Sequence, residues 1–190
     1  MRGHDLFRFA AVFAAVLCYS TILLGGNVMA SGDGLACPHW PTCYDNGNLL
    51  PAFVGGAAVE WSHRVSAFFL GVCVLVLALL GIAYERGRKV LLRMSLLALG
   101  LVVTEALLGA LVVESALFAE FVLIHLAIAT ALFGLLLVLT FLSNLRDMPR
   151  RWVSWARRAA EEVPEDARPP APAVGAPADT PPSVGRPREG

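Results

Sequence analysis

Two histidines stand inside long apolar runs of this chain. His63 lies in Glu60-Trp61-Ser62-His63-Arg64, and His125 in Val122-Leu123-Ile124-His125-Leu126-Ala127. An ionisable side chain in hydrocarbon is costly and usually marks a functional position. Each histidine sits a few residues inward from the start of its run. At about 1.5 Å per helical residue, both imidazoles fall roughly 5–9 Å below the same membrane face. Taken singly, either is accounted for as a buried imidazole bonded to a neighbouring helix. Taken as a pair at one depth, they suit one shared metal, and a heme iron with two axial imidazoles is the natural candidate.

The residues around the pair extend this chemistry. Glu60 precedes His63 by three positions and Arg64 by four, so all three project from one turn of helix. Two readings stay open. Glu60 and Arg64 form an ion pair at a helix end, where the N-terminal dipole favours the carboxylate. Alternatively, Glu60 faces the rim of a bound ligand as a general acid/base or electrostatic stabiliser, and Arg64 pairs with a heme propionate. Small residues (Ser66, Ala67, Gly71, Ala129) share faces with the histidines, and Gly25, Gly26 and Gly109 lie near the same level. They leave room for a flat ligand or for close helix approach. Glu105 falls mid-run with nothing basic near it in sequence; it is expected to face the interior, in a proton path or in polar packing. Glu114 and Glu120 are expected to be solvated, His39 is placed in a solvated loop, and His4 is assigned no role.

These side chains need elements to hold them. Of 190 residues, 57% are hydrophobic, too apolar for an ordinary soluble domain. Four apolar stretches, about Phe7–Gly26, Val59–Ala83, Met94–Val113 and Phe121–Ser143, each reach the roughly 20 residues that cross a bilayer. The first is too long for the apolar region of a signal peptide and lacks a small-residue cleavage site, so a retained helix is expected. The expected fold is an all-α membrane protein, a four-transmembrane-helix up-down bundle. Arg2 and Arg8 flank helix 1, Arg86, Arg88, Lys89 and Arg93 separate helices 2 and 3, and Arg146, Arg150, Arg151, Arg157 and Arg158 follow helix 4. The 27–57 and 114–120 loops carry no Lys or Arg. The positive-inside rule then puts both termini in the cytoplasm and both of those loops outside. In such a bundle helices 2 and 4 can face each other diagonally, with the histidines across the core.

The chain divides into a transmembrane heme-binding domain over 1–145, with its outer loop at 27–57, a basic juxtamembrane segment at 146–160, and a Pro/Ala-rich tail at 161–190 expected to be disordered. The juxtamembrane segment reads equally as a short interfacial helix or as a basic stop flank. No internal repeat is apparent. Cys18 and Cys73 lie within helices and behave as small hydrophobes. Cys37 and Cys43 share the outer loop, in an oxidising compartment, so a disulfide is expected. It reads as a staple over the bundle, or as a redox-active pair that exchanges with a partner thiol.

At these residues the chain resembles the heme A synthase family. The likeness lies in Gly25-Gly26-Asn27 leading into Ser31-Gly32 and Cys37-Pro38-His39-Trp40-Pro41-Thr42-Cys43, in Glu60-x-x-His63-Arg64, in Leu108-Gly109-Ala110-Leu111-Val112-Val113, and in His125-Leu126-Ala127. It covers roughly 7–143. Typical members have eight helices in two similar halves; this chain resembles the compact four-helix members, and Glu105 stands where a neutral residue such as Gln is expected. The resemblance implies a heme-dependent oxidoreductase of the plasma membrane that converts the C8 methyl of heme O to the formyl of heme A for terminal oxidase assembly. It implies heme B, heme O or both as cofactor and substrate, His63 and His125 as axial ligands, Glu60 as catalytic carboxylate, Arg64 at the heme, and Cys37–Cys43 as the outer disulfide. A homodimer or larger homo-oligomer in the lipid bilayer is expected, with heme O synthase as a further candidate partner and no nucleic acid. The alternatives are a b-type heme electron-transfer protein and a quinone-linked membrane thiol oxidoreductase.

Overall fold

The computed structural model describes residues 3–44 and 54–145. The segments at 146–160 and 161–190, with the expectations attached to them, lie outside the described residues.

Leu, Val, Ala and Ile dominate the apolar stretches, and backbone polar groups in hydrocarbon must be satisfied within the segment, so each stretch forms a helix. The helices are α1 (Gly3–Ser31), α2 (Gly55–Tyr84), α3 (Lys89–Glu114) and α4 (Ala119–Asn144). All four are long and apolar enough to cross a membrane. Each runs a few residues beyond its expected apolar span, because the helical backbone continues after the hydrocarbon-like sequence ends. The long connection therefore shrinks from 27–57 to 32–54. α1 stops where Gly32 adopts a left-handed φ of 78° and the Asp33 N–H donates back to the Val28 carbonyl at 3.1 Å; glycine takes this closing conformation without strain.

The packing is a ring: α1 against α2, α2 against α3, α3 against α4, and α4 back against α1. α2 and α4 are therefore diagonal, as expected. The tightly packed core occupies the end of the bundle away from the long connection. There α1 offers a stripe of small side chains, Ala11, Ala14 and Cys18, beside Phe7. Leu70, Val74 and Leu77 of α2, Leu91 and Ala98 of α3, and Leu132, Leu136 and Leu139 of α4 fill the space against it. The i, i+3, i+4, i+7 spacings put each set on one helix face. The outward faces stay apolar, with residues such as Phe9, Phe13, Phe68, Leu107 and Leu123 exposed, as expected where lipid is the solvent.

A polar staple closes this end. His4 Nδ1 lies 2.7 Å from Glu85 Oε1, and Glu85 is buried. Arg88 sits 3.8 Å from the other Glu85 oxygen and donates to the Leu142 carbonyl at 2.7 Å, while Arg8 Nε donates to the Ser143 carbonyl at 3.1 Å. α1, the α2–α3 turn and α4 are thereby tied together. His4, assigned no role from sequence, is part of this closure; its partner is 81 positions away.

Candidate functional site

His63 lies eight residues into α2 and His125 six into α4, which at about 1.5 Å per residue is about 12 and 9 Å from the helix starts. Both are partly buried, and the imidazoles are close enough across the bundle for charge on one to act on the other. The structure thus brings the expected pair together.

Each imidazole docks on the preceding helix in the same way. His63 Nδ1 is 3.1 Å from the Thr21 carbonyl of α1, and its ring lies over Gly25, where a β-carbon would be 2.9 Å from Cε1. His125 Nδ1 is 3.0 Å from Glu105 Oε2 of α3, and its ring lies beside Gly109, at 3.7 Å on the same measure. An acceptor at i and a glycine at i+4 on an odd helix receive a histidine from the even helix that follows. The pattern is written in Thr21-Ile22-Leu23-Leu24-Gly25 and Glu105-Ala106-Leu107-Leu108-Gly109. The chain therefore contains an internal repeat at the level of helical hairpins, where none is apparent from the sequence as a whole.

The consequence is chemical. A carbonyl can only accept, so His63 carries its proton on Nδ1, and Nε2 holds the lone pair. A carboxyl oxygen at Nδ1 of His125 favours the same tautomer. A metal-bound histidine characteristically has its other ring nitrogen tied back to a carbonyl or carboxylate. No protein hydrogen bond falls on Nε2 of either ring among the described residues.

The space around the pair is open. The contiguous buried core ends at Cys18, Leu70, Val102 and Leu132. Beyond that level Ser66, Ala67, Glu105, Gly109, His125 and Ala129 are only partly buried. Thr21 and Ser66 meet hydroxyl to hydroxyl at 2.6 Å between α1 and α2. Bilateral imidazoles, each with Nε2 left over, small side chains and missing core packing together fit a planar macrocycle with a central iron.

Glu60 lies one turn nearer the connection than His63, Arg64 follows His63 directly, and both side chains reach the loop. Cys37 and Cys43 form a disulfide, and both are fully buried against Ala57 and Trp61. The Cys37 N–H donates to Glu60 Oε2 at 2.8 Å, while Glu60 Oε1 pairs with Arg64. Arg64 also donates to the carbonyls of Cys37 at 2.6 Å, His39 at 2.6 Å and Thr42 at 3.1 Å. The helix-end ion pair is present, and it doubles as the clamp on the disulfide loop. Opposite, Ala116 and Leu117 take left-handed backbone angles at the α3–α4 turn, and Leu117 packs on Gly34 of the loop.

Sequence reasoning located both histidines, Glu60, Arg64 and the cysteines. It missed Thr21 as a partner of His63 and left Glu105 without one. The matched x-x-Leu-Leu-Gly segments were the available signal.

Residues 49–161 match the family model described as cytochrome oxidase assembly protein. A heme A synthase of Bacillus licheniformis is 36% identical over 126 residues, covering 64% of this chain and 40% of that protein. A heme A synthase of Bacillus pumilus is 33% identical over 143 residues, covering 71% and 44%. A protoheme IX farnesyltransferase of Halobacterium salinarum is 31% identical over 140 residues, covering 73% and 30%. The chain thus spans less than half the length of these relatives.

Proposed function

The chain belongs to the heme A synthase family of cytochrome oxidase assembly proteins, and from that membership we propose that it is a heme-dependent membrane oxidoreductase that converts the C8 methyl of heme O to the formyl of heme A. The observation that carries this reading is the pair of matched imidazoles, His63 and His125, each with Nδ1 facing an oxygen of the preceding helix and each presenting Nε2. When bound, heme supplies the redox chemistry for successive hydroxylations of the methyl group. The chain supplies the rest: ligands, a cleft of small side chains, and a lid that keeps water from the site.

Glu60 and Arg64 stand next to His63 at the loop side of the cleft. Both Glu60 oxygens are already bonded, which favours an electrostatic and positioning role over proton transfer while the loop is docked. Arg64 commits its Nη hydrogens to the loop carbonyls and Glu60, so a heme propionate would take its Nε–H. The Halobacterium relative, by its name, attaches a farnesyl group to protoheme IX; a farnesylated heme as substrate, and heme O synthase as partner, agree with that. The distribution of Lys and Arg supports cytoplasmic termini and a heme site near the outer face of the plasma membrane. One histidine pair per chain supports a homodimer wherever two irons are needed.

A second reading, a b-type electron carrier, draws on the same observation, because two secured ligands leave an iron no open position. The deciding experiment is heme extraction and a pyridine hemochrome spectrum on the purified protein, followed by heme O conversion. Heme B with a farnesylated heme, and formation of heme A that Glu60→Ala abolishes, is the expected result. Bound heme with no product would favour the carrier, and no bound heme after heme-replete expression would sink both.

A further inference from the structure

The two imidazoles differ in what stands behind Nδ1. His63 is held by a neutral main-chain carbonyl that no side-chain substitution can remove. His125 faces a side-chain carboxyl, Glu105, at 3.0 Å. Glu105 comes from α3, four residues before Gly109, and is 12% exposed in the bundle interior, within electrostatic reach of Cys18 on α1. Among the described residues no Lys or Arg is paired with it. A carboxyl group in hydrocarbon without a cation is rare and functional, and across the α3–α4 interface it faces Nδ1 of a histidine whose Nε2 points elsewhere.

We propose that Glu105 is a positioning residue for His125: it fixes the Nδ1–H tautomer and ring orientation and makes His125 the more electron-donating of two unequal heme ligands. The proposal rests on the heme-binding reading above. A carboxyl group behind a metal-bound imidazole orients the ring and raises its basicity, and loss of such a partner characteristically weakens metal binding by about 10–100-fold. A carbonyl does the first and less of the second. The repeat of the two hairpins therefore conserves the geometry while changing the charge behind one ligand. Thr21, at the place that Glu105 takes in the other hairpin, uses its hydroxyl on Leu17 and Ser66 and offers only its backbone to His63.

The test uses the full chain purified in detergent and titrated with heme B, reading absorption spectrum, heme retention and midpoint potential. Glu105→Leu is expected to retain heme about 10–100-fold more weakly and to shift part of the iron from low to high spin, as loss of His125 ligation would. Glu105→Gln keeps an oxygen that accepts the Nδ1–H, so it should stay low-spin, with the potential shifted upward because the charge is gone. Wild-type spectrum, retention and potential in both variants would overturn the proposal while leaving heme binding intact. Wild type without heme would overturn the heme-binding reading and this proposal together. Should Glu105→Leu not fold, the potential of Glu105→Gln decides alone: an upward shift supports the role and an unchanged value ends it.

Discussion

The imidazole of His63 lies directly over Gly25, leaving 2.9 Å between its Cε1 and the place a β-carbon would occupy. That is closer than carbon atoms ordinarily approach, and the ring is also held at Nδ1 by the Thr21 carbonyl one turn away. His125 leaves more room over Gly109, 3.7 Å on the same measure.

The difference separates two otherwise similar substitutions. Gly→Ala in a helix interior is favourable by about 1 kcal/mol, but forcing a methyl against a fixed ring costs about 1–3 kcal/mol. Gly25→Ala should therefore push His63 out of register and reduce the low-spin heme signal, whereas Gly109→Ala, with no clash to offset the helix gain, should leave the spectrum close to wild type and raise the melting temperature. Equal spectra for the two variants would contradict the docking of His63 on α1.

The helices and the histidines were legible in the sequence for one reason: hydrocarbon penalises unsatisfied backbone and lone ionisable groups so strongly that length and polarity alone reveal both. The partners were not legible. α1 and α3 are apolar on every side, so no periodicity says which face meets the next helix, and Thr21 and Glu105 look like isolated polar residues until α2 and α4 are placed. Arg64 spends most of its donors on backbone carbonyls of the loop, and carbonyls carry no residue identity. His4 meets Glu85 only through the closed ring of helices. The similar depth of the two histidines, the diagonal placement of α2 and α4 and the disulfide needed only local reasoning; the hairpin repeat needed the interfaces.

At the far end of the bundle, removing the Glu85 side chain tests the staple. Glu85 is 2% exposed and stands between His4 and Arg88. Removal of a buried, charge-assisted partner costs about 1.5–3 kcal/mol. Glu85→Ala should lower thermal stability in detergent by that order. It should leave the heme spectrum unchanged, since the packed core of Leu70, Val74, Leu132 and Leu136 separates the two ends. A spectral change would mean that the ends are coupled.

Glu60 offers a sharper separation between fold and chemistry. Glu60→Gln keeps an oxygen for the Cys37 N–H and loses the charge opposite Arg64; Glu60→Ala loses both. An electrostatic role predicts that both variants stop heme A formation while heme remains bound, with loop docking preserved only in the Gln variant. Proteolysis of the 32–44 segment reads docking directly. Full activity in Glu60→Gln would show that the charge is dispensable and that Glu60 serves only to hold the loop.

Arg64 decides whether the disulfide is a staple or a redox centre. Cys37 and Cys43 are both fully buried, and Arg64 ties the carbonyls of Cys37, His39 and Thr42 to α2. A partner thiolate must reach a sulfur to exchange with it, so attack requires the loop to lift. With the clamp closed, reduction by dithiothreitol should be slow; Arg64→Ala, which removes three loop contacts and the cation opposite Glu60, should accelerate it severalfold. A staple then predicts that Cys37→Ser with Cys43→Ser keeps the heme spectrum and part of the activity, with faster proteolysis of the loop. If the double variant binds heme normally and is inactive, and if wild-type reduction is as fast as in Arg64→Ala, the loop opens readily. The thiol pair would then belong to the chemistry rather than to the lid.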